Sequence, residues 1–181
     1  SAFLKKYHLD AHDPILCILP GSRRGEINHH LPLFLDSIEL LRQHDRSLQL
    51  VFPTLPELEP LISQALFDRG MAGKIITDPA DRLSAMAFAK GALAASGTVS
   101  LELALLGVPM LIAYRSNPIS AMIARRMILI PYVSLPNILL NKTVVPELLQ
   151  ENCTVDQIYQ GLHRLLAPRS RLAKDQIKAF E

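Results

Sequence analysis

CILPGSRRGEI, residues Cys17–Ile27, decides the fold. An apolar run that opens at Ile15 stops at Leu19, Pro20-Gly21 breaks it, and Ser22, Arg23 and Arg24 follow. The spacing then turns helical. Ile27, Leu31, Phe34, Ile38 and Leu41 recur at alternating four- and three-residue steps, which marks one face of a helix. A hydrophobic core has no need of a polar, glycine-hinged junction between strand and helix. A site for an anion does. Gly21 permits a tight turn and close backbone approach, and the helix start offers N–H groups and a positive dipole end. Ser22 adds a hydroxyl, and Arg23 a forked cation suited to phosphate. The competing reading of these residues is an ordinary capped β-α turn with solvated arginines. Gly25 at the helix start costs some helix stability, and the role of Arg24 stays open.

The same alternation continues outward. Leu48 to Phe52 reads as a strand, and Leu58, Leu61, Ile62, Ala65 and Leu66 as one side of a helix. Lys74 to Thr77, Gly91 to Ala95 and Pro109 to Tyr114 are further strands. Leu83, Met86 and Ala87 mark a helix, Thr98 to Leu106 another, and Ile119, Met122, Ile123 and Met127 a third. After a Pro-broken segment, Val155, Ile158, Tyr159, Leu162 and Leu165 give the last clear amphipathic helix. Five β-α repeats with strands apolar on both faces predict a mainly parallel sheet with helices on both sides, a Rossmann-like α/β domain. Ligands on such sheets bind beyond the carboxyl ends of the strands.

One more loop there is suited to an anion. Ala94 to Glu102, AASGTVSLE, sets Ser96-Gly97-Thr98 between a small-residue strand and a helix. Ser96 and Thr98 are expected to cap that helix while leaving N–H groups for a phosphate. Glu102 lies one turn further in, on the side of Thr98 and within reach of vicinal sugar hydroxyls. The bland alternative is a capped helix with one exposed acid. Two anion-suited turns on one sheet, one of them with an acid for a ribose, favour a nucleotide diphosphate.

Bulk properties narrow the classes further. The 181 residues allow one generous domain and are short for two. A formal net charge of +2 is too small to argue for nucleic acid. No apolar run reaches the roughly 18 residues of a membrane span. The opening SAFLKKYHLD lacks a signal-peptide core and reads like the cut edge of a larger protein. Cys17 and Cys153 make a poor disulfide framework, so a reducing, cytoplasmic setting is expected. The patterns G-x-G-x-x-G and G-K-[ST] are missing, which argues against NAD enzymes and P-loop ATPases. His29 and His30 are adjacent on a predicted helix and cannot both face one metal; a solvated surface is expected for both. His8, His12, His44 and His163 carry no ligand spacing, and no metal is expected. Arg115, Arg125 and Arg126 flank the Ile/Met stripe of Tyr114 to Tyr132, but packing of that stripe on the sheet is preferred to a membrane face.

LPGSRRGEI, ASGTVSLELALLGVPMLIAYR, YVSLPNILLN and VPELLQENC, in that order, resemble the C-terminal half of lipid-A-disaccharide synthases, which are GT-B-fold glycosyltransferases. The resemblance runs from Pro14 to Leu166. It implies that residues 1–181 form a UDP-sugar donor domain and that the N-terminal acceptor domain lies outside this sequence. It implies transfer of 2,3-diacylglucosamine from its UDP donor to 2,3-diacylglucosamine 1-phosphate, with release of UDP and peripheral association with the cytoplasmic face of the inner membrane. Carried over by motif, Gly21, Ser22 and Arg23 would meet the pyrophosphate, Ser96, Gly97 and Thr98 would donate to phosphate, and Glu102 would accept from the ribose. Tyr114, Asn137, Glu147 and Gln150 match motif positions near the donor. Arg23 and Asn137 are the candidates for transition-state or donor contacts, and no catalytic base is assigned. GT-B transferases generally need no bound metal or cofactor, and no Asp-x-Asp is present to hold one. Homo-oligomer formation stays open. Two other readings remain: the matching half of another GT-B protein such as a UDP-sugar 2-epimerase, or a non-catalytic nucleotide-binding module.

Overall fold

The structure, a computed structural model, describes residues 1–95, 97–117, 120, 122 and 131–181. Six strands, β1 (Ile15–Leu19), β2 (Gln49–Pro53), β3 (Lys74–Ile76), β4 (Gly91–Ala94), β5 (Met110–Tyr114) and β6 (Glu147–Leu149), form one sheet in the order β3-β2-β1-β4-β5-β6. Every pairing is parallel. The helices are α1 (Ala2–Lys6), α2 (Arg24–His44), α3 (Glu59–Asp68), α4 (Pro79–Ala87), α5 (Thr98–Leu105), α6 (Leu135–Leu140), α7 (Val155–Leu166) and α8 (Arg171–Phe180). The Rossmann-like parallel sheet expected from the sequence is the observed fold.

Two cores arise because side chains alternate across each strand. From β1, Leu16 and Ile18 face Ile27, Phe34 and Ile38 of α2 and Ile158 and Leu162 of α7 in one buried cluster. Ile15, Cys17 and Leu19 join Met86 of α4 and Val99 and Leu103 of α5 in the other. Burying each such Leu, Ile or Phe contributes about 1.5–3 kcal/mol, so both layers hold the sheet. Helix α8 is fastened differently. Its Gln176, fully buried, accepts from Met110 N–H at 2.8 Å and donates to Met110 C=O at 2.9 Å, occupying the backbone of β5 as a strand would.

Four elements were not expected: α1, α6, β6 and α8. β6 is three half-buried residues long and α1 five, too short to show a period. In α8 the most buried side chain is a polar one, Gln176, but Leu172, Ala173, Ile177 and Phe180 flank it at helical spacing, a signal the sequence did offer. The helix expected on Ile119, Met122, Ile123 and Met127, with Arg125 and Arg126, lies outside the described residues except for Met122.

Candidate functional site

Strand order reverses between β1 and β4, which are direct neighbours, so the loops leaving their carboxyl ends lie side by side. In the first, Gly21 has φ +137°, a conformation open to glycine, and a Cβ there would overlap the Glu26 side chain. Ser22, Arg23 and Arg24 are exposed beside it. Arg23 is the N-cap of the 21-residue α2, its side chain makes no cap hydrogen bond, and the first satisfied helical donor is Ile27 N–H on Arg23 C=O at 3.1 Å. The first-turn N–H groups have no partner within the helix and face the loop mouth.

The second loop ends on Gly97, the N-cap of α5, which has no side chain of its own to cap with. The expectation that Thr98 caps this helix is corrected: Thr98 is already its first helical residue, and the cap position carries no side chain at all. Ser96 lies outside the described residues. A Cβ at Gly97 would overlap the carbonyl oxygen of Val133, so glycine is what lets the Val133 backbone cross the start of α5. Ser100 ties the crossing down. Its hydroxyl donates to Gly97 C=O and accepts from Leu135 N–H at 3.1 Å.

Glu102 is not a lone acid. Arg82 of α4 grips both of its carboxylate oxygens, the second contact at 3.1 Å, and the two side chains are 40% and 39% exposed. A forked pair of this kind fixes the carboxylate plane while leaving lone pairs toward solvent.

Asn137 and Glu147, which the family resemblance puts at motif positions near a donor without assigning roles, form a hub. Asn137 is fully buried. Its Oδ1 accepts from Val144 and Val145 N–H, both at 2.8 Å, and its Nδ2 donates to Val145 C=O at 2.7 Å and to Glu147 Oε1 at 2.9 Å. Every donor and acceptor of the amide is therefore used inside the protein. Glu147 accepts in turn from Val133 N–H at 3.0 Å, Ser134 N–H at 2.8 Å and the Ser134 hydroxyl at 2.7 Å. The hub fixes the strap that crosses Gly97. Ser134, the N-cap of α6 followed by Pro136, had a readable signal: Ser then Pro at a helix start.

Beyond β5, Gln150 (φ +53°) accepts from Ser116 N–H at 3.2 Å and donates to its hydroxyl at 2.9 Å. Tyr114 packs on His30, ring centroids 5.0 Å apart. The solvated surface expected for His30 is corrected: it is 1% exposed. His30 Nδ1 bonds Glu26 C=O at 2.8 Å, and Arg115 N–H donates to Nε2 at 3.0 Å. Burial holds the imidazole below its ordinary pKa. Glycine-lined turns, two helix starts, a clamped carboxylate and an exposed arginine thus meet at one sheet end. Among the described residues no cluster of three or more His, Cys, Asp or Glu is placed to hold a metal ion, and no helix is long and apolar enough to cross a membrane.

The family model described as lipid-A-disaccharide synthetase matches residues 2–181. A lipid-A-disaccharide synthase of Rhodopseudomonas palustris (strain BisB18) is 42% identical over 171 residues, 94% of this chain and 43% of that protein. The chain thus spans less than half the length of such relatives. Among solved structures, a Staphylococcus aureus MnaA–UDP co-structure superposes with a TM-score of 0.69 at 17% identity, covering 99% of this chain and 43% of that one. WaaG, a glycosyltransferase involved in lipopolysaccharide biosynthesis, gives 0.57 at 15% identity, with 98% and 45% covered. Other likenesses are UDP-N-acetylglucosamine 2-epimerases. At such identities the superpositions show a shared fold and nothing finer.

Proposed function

The chain belongs to the lipid-A-disaccharide synthetase family, and from that membership we propose that it is the donor-nucleotide half of a glycosyltransferase. The reaction of the whole enzyme joins 2,3-diacylglucosamine, delivered on UDP, to 2,3-diacylglucosamine 1-phosphate. An acceptor hydroxyl attacks the anomeric carbon, the bond from that carbon to UDP breaks, and the hydroxyl proton leaves to a base that we place outside this chain. The parent works at the cytoplasmic face of the inner membrane, where its acylated substrates reside.

In this reading the diphosphate lies across the β1–β4 junction. Gly21, Ser22 and Arg23 meet one side of it and Ser96, Gly97 and Thr98 the other. Arg23 and the two helix starts offset the charge that grows on the departing UDP, an electrostatic stabilisation by groups already in place. Glu102, with its plane set by Arg82, accepts from the ribose hydroxyls. Tyr114 and Gln150 border the sugar end, while Asn137 and Glu147 hold the strap beside it. The observation that carries the reading is the pair of helix starts, α2 and α5, entered through Gly21 and Gly97 turns at the carboxyl ends of adjacent parallel strands. Calorimetry of the 181-residue chain with UDP, ADP and NAD tests it. UDP is expected to bind weakly and in preference to the other two; NAD binding as tightly as UDP overturns the reading.

A further inference from the structure

His30 is a buried titratable group that the donor reading does not use. Its two ring contacts dictate its form. A carbonyl oxygen only accepts, so Nδ1 carries the hydrogen that reaches Glu26 C=O at 2.8 Å. A backbone N–H only donates, so Nε2 must offer a bare lone pair to Arg115 N–H at 3.0 Å. Both contacts exist together only in the neutral Nδ1–H tautomer. One partner lies in the first turn of α2, whose Glu26 side chain covers Gly21. The other opens the loop after β5, whose Ser116 is held by Gln150 from just beyond β6. The ring is wedged between Phe34 and Tyr114, at 5.9 and 5.0 Å, so it cannot turn away without repacking.

We propose that His30 is a positioning residue of the donor site: as a neutral imidazole it ties the first turn of α2 to the backbone of Arg115 and so fixes the anion loop against the loop after β5. The inference rests on reading this mouth as the donor site. A proton added at Nε2 would confront the Arg115 N–H with a second donor and break the tie. The charged and titratable groups around the ring are Glu26 and His29 on α2 and Tyr114 and Arg115 at the end of β5. Burial, the largest influence, favours the neutral form. The sign follows: donor binding is full at neutral pH and falls once acid protonates His30.

The test compares the 181-residue chain with H30Q, whose amide oxygen can accept from Arg115 but takes no proton, and H30F, which keeps the ring shape and loses both contacts. UDP affinity is titrated by calorimetry from neutral to mildly acidic pH. The terminal phosphate of UDP gains a proton over the same range, so the reading is the difference between proteins. Wild type is expected to lose affinity relative to H30Q by up to about tenfold per pH unit below the His30 titration point, the limit for one proton. H30F should bind about three- to tenfold more weakly at neutral pH, as for one lost hydrogen bond. Identical pH profiles for wild type and H30Q overturn the proposal, whether or not H30F folds. If wild type binds no UDP, the donor reading fails instead. The Arg115 amide resonance, which must shift as His30 titrates, then decides the tie alone, and a resonance that stays put refutes it.

Discussion

Arg23 and Glu102 border the same mouth with opposite charge and different company. Among the described residues no ion pair holds Arg23, which is exposed, whereas Glu102 is clamped by Arg82. Arg23→Ala should remove about 1.5–3 kcal/mol of UDP binding, the worth of charge-assisted bonds, and leave uridine nearly untouched. Glu102→Ala should weaken uridine and UDP alike, because both carry a ribose. Titrating both ligands against both variants separates the roles; equal losses of uridine and UDP with Arg23→Ala would remove the arginine from the phosphate. Both substitutions sit at the loop mouth, and a half-exposed ion pair contributes little to stability. The placement of Arg23 and Glu102 at the loop mouth was legible because they follow glycine turns. Arg82 was not, since it approaches Glu102 from another helix, 20 residues back in sequence. His30 was half legible. It lies three residues after Ile27 and four before Phe34, on the buried stripe, yet as a polar residue beside His29 it resembled surface.

At the scale of elements, short pieces escaped the periodicity and proved to carry the site's scaffolding. α6 and β6 owe their placement to Asn137, which answers two backbone N–H groups and one carbonyl and also holds Glu147. Asn137→Ala leaves those groups buried without partners, at about 1–3 kcal/mol each. The expected outcome is a large loss of stability in urea titration, with UDP binding weakened through the slackened strap. A variant of wild-type stability that has lost only UDP affinity would make Asn137 a direct donor contact instead. The SLPN and ELLQ motifs could be noticed in sequence. Their mutual hydrogen bonding could not, because nothing in a linear order shows that residue 137 closes on 144, 145 and 147.

At the scale of the molecule, the sheet and its two-sided cover were readable because a parallel sheet buries both faces and so writes continuous apolar runs. The strand order was not written anywhere in the runs themselves; it follows from how the crossovers pack, and it is what brings the turns after β1 and β4 together. The same double cover has a chemical consequence for the two thiols. Cys17 lies in β1 between β2 and β4, fully buried, and burial pushes its pKa up to about 12. Cys153 is buried near the carboxyl end of β6, against the same layer as Leu111 and Ala113, with its N–H on Gln150 C=O at 3.0 Å. Only thiolates exchange with disulfide reagents, so each cysteine is a clock for the opening that uncovers it. Cys17 should be labelled at the pace of whole-sheet unfolding, and Cys153 faster, through local opening around Gln150. Peptide masses taken along a labelling time course read the two rates separately, and saturating UDP should slow Cys17 by its full binding free energy and Cys153 by that much at most. Equal rates would mean that the sheet and the segment around Gln150 open together, as a single cooperative body.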